Sequence, residues 1–185
     1  MSNSIDKDCS FEQDGFWFRY RAAAIIIEED CVLMAYNNID DYYYSIGGGV
    51  HLGETSADAV TREVKEETGI AYEVERLAFV NESLFHGDGT LEGKECHGIE
   101  LYYLMKPKNV QQVCNGSCTG VTTYNAKEYV RWIPIKDLGN YKIFPEFFKD
   151  KLLNIPLGIE HFISDERMND AELPFHIRRA KNREL

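Results

Sequence analysis

The period of apolar and polar positions changes several times along the chain, and each change marks an element. From Phe16 to Ile27 aromatic and β-branched residues dominate, which predicts a strand. "EED" turns the chain, and Cys31 to Tyr36 predicts a second strand returning beside the first. After the turn "NNIDD", Tyr42 to Ile46 reads as a short strand that runs into Gly47, Gly48 and Gly49. From Ser56 to Thr68 the period becomes helical. Ala57, Val60 and Val64 recur at spacings of three and four, Thr55 or Ser56 can cap the start, and Gly69 supplies the stop.

Tyr72 to Glu82 and Ile99 to Met105 predict two more strands, separated by "HGDGTLEGKE", a polar surface loop. Asn109 to Lys127 reads as loop, Tyr129 to Ile133 as a last strand closed by Pro134, and "FPEFFKDKLL" as a helix with Pro145 at its first turn. No repeat or interdomain linker interrupts this order. It predicts an α/β (α+β) mixed sheet with helices packed on it. The expected organisation is an N-terminal extension over 1–15, one domain over 16–155 and a polar tail over 156–185.

The composition, 185 residues with 44% hydrophobic and 12% aromatic content, suits a single core. A formal net charge of -11 argues against a nucleic-acid polymer as partner, because that binding runs on clustered Lys and Arg. No stretch approaches the roughly 18 apolar residues of a membrane span, and "MSNSIDKDCSFEQDG" lacks the basic start and apolar run of a signal peptide. The expectation is a soluble, cytoplasmic protein with no membrane partner. Five cysteines, an odd count, predict reduced thiols. Cys96, His97, Cys114 and Cys118 do not have finger or ribbon spacing, which disfavours a zinc site.

The predicted helix carries an electrostatic problem. At about 100° per residue, Glu63, Glu66 and Glu67 share a stripe beside the apolar one, so like charges meet at spacings of three and four. They also sit in the C-terminal half, where the helix dipole disfavours anions. A solvated acidic face balanced by Arg62 and Lys65 would be the ordinary explanation, but it leaves the glycines unexplained. A hard divalent cation resolves both. Mg²⁺ takes carboxylate oxygens and substrate phosphate, and a glycine loop lets backbone approach the same ion closely.

The stretch from Gly48 to Ile70 resembles the signature of the Nudix (MutT-like) hydrolases. That signature is Gly, five residues, Glu, seven residues, Arg-Glu, an aliphatic, any residue, Glu-Glu, any residue, Gly, an aliphatic. Gly48, Glu54, Arg62, Glu63, Val64, Glu66, Glu67, Gly69 and Ile70 fill every fixed position, and the flanking strand order is also similar from about Trp17 to about Leu153.

The resemblance implies an α/β/α sandwich in which this Nudix box forms a loop, helix and loop. It implies Mg²⁺ or Mn²⁺ held by Glu63, Glu66, Glu67 and the Gly48 carbonyl. Arg62 and Glu54 would orient these groups, with Glu63 as the general base in some members. The implied reaction is attack of a metal-activated water on a pyrophosphate bond in a small phosphorylated nucleotide. A homodimer is an open assembly.

Outside the box, Glu100, Glu128, Glu95 and Glu82 are candidates for a further ligand or base, and Arg19 and Arg21 for a distal phosphate. His51, His86 and His97 are candidate phosphate contacts, and Tyr42, Tyr43, Tyr44, Phe85 and Trp132 candidate base platforms; ordinary surface or core roles compete for each. Leu84, Phe85 and His86 stand where some ADP-ribose or dinucleoside polyphosphate hydrolases carry proline or tyrosine, so the substrate stays open. A non-catalytic Nudix module that senses a nucleotide is the rival reading. No loop has the ligand spacing of a calcium-binding EF-hand.

Overall fold

The computed structural model describes residues 5–87, 89–109, 118–121 and 127–167. In chain order the elements are strands β1 (Ile5–Asp8), β2 (Ser10–Gln13), β3 (Phe16–Ile25), β4 (Ile27–Glu28), β5 (Cys31–Asn37), β6 (Tyr43–Tyr44), β7 (Gly47–Gly49) and β8 (His51–Leu52), then helix α1 (Ser56–Thr68). Strands β9 (Val74–His86), β10 (Glu95–Met105), β11 (Cys118–Val121), β12 (Lys127–Pro134) and β13 (Ile143–Phe144) follow, then the short helix α2 (Phe148–Lys151) and strand β14 (Glu160–Asp165). The predicted mixed architecture is the observed one.

Two six-stranded sheets carry the fold. One runs β14-β9-β10-β3-β2 with β7 also on β3, and the other runs β11-β12-β5-β6-β13 with β4 on β5. β3 and β10 are parallel, whereas β9 and β10 are antiparallel. Side chains alternate across a strand, so β3 feeds two cores at once. Ala22, Ala24 and Ile26 join Ala59, Val60 and Val64 of α1 on one face. Ala23 and Ile25 join Phe79, Tyr102, Leu138 and Phe148 on the other.

Helix α1 has the predicted bounds, because its ends are written locally. Thr55 caps it by accepting from the Asp58 amide at 3.1 Å, and Gly69 ends it at φ 74°, donating its N–H to the Lys65 carbonyl at 2.9 Å.

Elsewhere tertiary pairing moved the boundaries. β9 and β10 extend to His86 and Glu95, into the segment predicted as a loop, because each supplies the other's backbone partners despite polar side chains. Within predicted loop 109–127, β11 pairs with β12; 110–117 and 122–126 lie outside the described residues. The helix predicted over "FPEFFKDKLL" shrinks to Phe148–Lys151, since Phe144 is taken into a strand on Tyr44.

Both predicted appendages contribute to the sheets. β2 pairs with β3, and β14 adds to β9 with Phe162 edge-on to Phe147 at 4.6 Å between centroids. "EHFISD" is too short and too polar to announce that strand; the open edge of β9 recruits it. Among the described residues no helix is long and apolar enough to cross a membrane. Among the described residues Cys9, Cys31 and Cys96 form no disulfide, and the remaining cysteine side chains of the zinc reading lie outside the described residues.

Phe148 is fully buried in the core opposite α1. Phe148→Ala should cost about 3–5 kcal/mol by urea denaturation; a loss under about 1 kcal/mol would contradict this packing.

Candidate active site

Each glycine of the run before α1 is spent on a close approach. A Cβ at Gly47 would lie 2.3 Å from the Ala22 carbonyl oxygen, and the residue sits at φ 137°, where side chains are strained. At Gly48 a Cβ would meet the Glu63 carboxylate at 2.4 Å, and at Gly49 the Asp8 carboxylate at 2.2 Å. The backbone here is in contact with carboxylates on both sides.

Arg62 organises the box. Its Nε and Nη2 each donate to Glu54 at 3.0 Å, Nη2 also to the Gly49 carbonyl at 3.0 Å, and Nη1 to Glu63 at 2.6 Å and Glu66 at 3.2 Å. Glu54 accepts the His51 amide as well, at 3.1 Å. These contacts hold the Glu54 carboxyl below the usual carboxylate range, chiefly through the Arg62 hydrogen bonds, and raise the Arg62 guanidinium. Arg62 thus ties Glu54 to Glu63, Glu66 and the Gly49 backbone.

The three helix glutamates share a stripe but differ in depth. The Glu66 side chain is 59% exposed and that of Glu63 16%. Glu67 points inward: Oε1 accepts the Gly47 amide at 2.9 Å, while Oε2 is buried with no hydrogen-bond partner among the described residues. Burial, then the nearby Glu128 carboxylate, push the Glu67 carboxyl up to about 8. Because this value lies above the ordinary 4.5, ionising Glu67 costs stability as pH rises from 4.5 toward 8.

Among the described residues no three Asp, Glu, His or Cys side chains already converge as a metal cage; Glu63 and Glu66 turn to Arg62, and Glu67 to Gly47. The donor set nevertheless fits a hard cation: carboxylate oxygens beside a glycine backbone, one of them buried and unsatisfied.

The outside candidates separate. Glu128 accepts the Tyr44 hydroxyl and lies close enough to Glu67 to raise it. Glu100 accepts from Asn81 at 3.1 Å and from Tyr102 at 2.7 Å. Glu95 and Glu82 are paired with His86 and His161, each at 2.8 Å.

Arg21 does not present a free guanidinium for substrate. It is committed to Ser45 Oγ at 3.0 Å and to the Ser45 and Gly47 carbonyls at 2.7 and 3.0 Å, so it holds the glycine run. Arg19 makes no hydrogen bond or ion pair among the described residues. Burial lowers its pKa first, then Arg21, against the pull of Asp8, Glu63 and Glu100. Of the proposed base platforms, Trp132 is core, Tyr42 packs with Tyr44 and Phe144, and Tyr43 packs with Tyr141. His97 lies edge-on to Phe18. Sequence reasoning missed Asp8; the third glycine was its only trace.

As pH falls below 4.5, protonation of Glu54 should remove stability that is present above that value, since its folded-state pKa is depressed. Glu54→Gln should flatten this acid limb in thermal melts from pH 3 to pH 7 and cost about 1–3 kcal/mol at neutral pH; an unchanged acid limb would count against the bridge.

A family model described as the NUDIX domain matches residues 17–152. A MutT-like protein of Streptomyces ambofaciens is 39% identical over 66 residues, which are 35% of this chain and 43% of that protein, so the match spans less than half of that relative. The fold is similar to the MutT protein of Bacillus halodurans, with TM-score 0.52 at 17% identity over 82% of this chain and 93% of that one. It is also similar to the MutT protein of Methanosarcina mazei, with TM-score 0.51 at 18% identity over 80% and 92% of the two chains. Since the matched region spans most of the chain and holds the glycine run, the acidic helix and the central strands of both sheets, the chain belongs to the Nudix hydrolase family.

Proposed function

We propose that this Nudix pyrophosphohydrolase uses Mg²⁺ or Mn²⁺ to hydrolyse the pyrophosphate bond of a nucleoside diphosphate linked to a second group, releasing a nucleoside monophosphate and a second phosphorylated product. The observation that carries the reading is Glu67, a buried carboxylate with an unsatisfied oxygen, beside Glu128 and the Gly47 amide. A buried acceptor of this kind costs stability unless a cation or proton satisfies it.

Glu63, Glu66, Glu67 and the Gly48 carbonyl would hold the cation, which when bound supplies positive charge to phosphate oxygens and acidifies water. The remaining roles fall to the chain itself. Glu63, against the Gly48 backbone and oriented by Arg62, accepts the proton of the attacking water. Glu54 fixes Arg62 and thereby the loop, and Arg21 fixes the carbonyl side of the glycine run. Arg19 is the unspent cation on the neighbouring strand for a substrate phosphate.

Purified protein with Mg²⁺ should cleave members of a panel of nucleoside diphosphate derivatives, read by phosphate release after phosphatase coupling. Glu66→Gln and Glu67→Gln should each lower kcat by about 10²-fold or more. Mg²⁺ should raise the wild-type Tm and leave that of Glu67→Gln unmoved. No cleavage across the panel, or variants indistinguishable from wild type, would refute the reading.

A further inference from the structure

The N-terminal segment delivers a carboxylate to the box from outside it. β1 pairs with β8, placing Asp8 opposite His51. The next residue, Cys9, donates its N–H to the Val50 carbonyl at 2.7 Å and accepts the Tyr20 amide at 3.1 Å. Asp8 therefore sits where the edge of β3 passes from pairing with β2 to pairing with β7. Its carboxylate fills the place a Cβ would occupy at Gly49, 2.2 Å from the ideal position. His51 Nε2 lies 3.6 Å from it.

The sheet register decides which face this carboxylate serves. Gly49 is paired with Arg21 and Gly48 with Ala22, so Asp8 lies on the Arg19 and Arg21 face, while Glu63 lies on the α1 face. The Arg21 guanidinium donates to Ser45 and Gly47, whereas that of Arg19, two residues along the same face, makes no hydrogen bond or ion pair among the described residues. Arg19 pairs with Gly98 of β10. Over Gly98, a Cβ would meet Ser83 Oγ at 2.5 Å and Glu100 Oε1 at 3.7 Å, and that Ser83 hydroxyl is buried with no hydrogen-bond partner among the described residues. This face combines one guanidinium lacking an acceptor, one hydroxyl lacking a partner, and carboxylates from two different strands.

We propose that Asp8 is a specificity-determining residue. With Arg19 it forms a subsite for the leaving group, in which Arg19 binds a phosphate oxygen and Asp8 accepts a hydrogen bond from a hydroxyl of the group attached to that phosphate. The inference rests on the pyrophosphatase reading above and deepens it. A guanidinium matches phosphate, and a carboxylate matches hydroxyl donors. The same carboxylate repels a further phosphate brought to that position. The subsite therefore selects nucleoside diphosphates carrying a polyhydroxylated group, such as a hexose, over nucleoside triphosphates.

The test compares kcat/KM for nucleoside diphosphate hexoses and nucleoside triphosphates of the four common bases. Wild type should favour the hexose derivatives. Asp8→Asn, nearly isosteric at a side chain 42% exposed, should lower kcat/KM for them about 10-fold and leave the triphosphates equal or faster. Gly49→Ala, which forces the Asp8 carboxylate off its seat, should shift the ratio the same way, and melting curves would establish that both variants are folded. An Asp8→Asn variant that changes both substrate classes by one common factor, or neither, overturns the subsite while the pyrophosphatase reading stands. A wild type inactive on every pyrophosphate tested removes that reading and the subsite with it.

Discussion

Arg62 is the point on which the site depends. Its five N–H donors meet five acceptors, from Glu54 twice, Glu63, Glu66 and the Gly49 carbonyl. A guanidinium fork is suited to this because it is planar, permanently charged and able to bind a carboxylate through two parallel bonds. One side chain thereby ties the start of the box, the glycine strand and two glutamates of α1 into one unit. A lysine would supply the charge without the five directions.

The second constraint is steric. Three consecutive glycines are costly in a strand, since they pack nothing and lose much backbone entropy. Here they separate groups that need the space: the β3 backbone at Gly47, Glu63 at Gly48 and Asp8 at Gly49. The strand is thin enough to have a carboxylate against each face. Arg21 and the Glu67 carboxyl group then fix its first residue, through the Gly47 carbonyl and amide respectively.

Local signals were read where the physics is local. The caps of α1, the apolar spacing of Val60 and Val64, and the box itself all depend on residues within one turn or one loop, and the observed helix has the predicted limits. Strand ends were misjudged where a neighbour supplied the partner. The extension of β9 and β10 and the recruitment of Glu160–Asp165 follow from open backbone donors and acceptors on adjacent strands, which no short window of sequence contains. The two strand arginines looked equivalent by alternation; only the folded chain separates them, by giving Arg21 three acceptors and Arg19 none.

What the sequence by itself determined is the helix, its stripe of carboxylates and the family, because a fixed spacing on a helix sets side-chain direction without help from the rest of the chain. What the tertiary structure decided is depth and company. It buried Glu67 while leaving Glu66 in solvent, placed Glu128 near Glu67, and laid Asp8 on Gly49 from more than forty residues away in the chain. The physical reason is that charge energetics depend on dielectric surroundings and through-space distance, and both are set by sheet register.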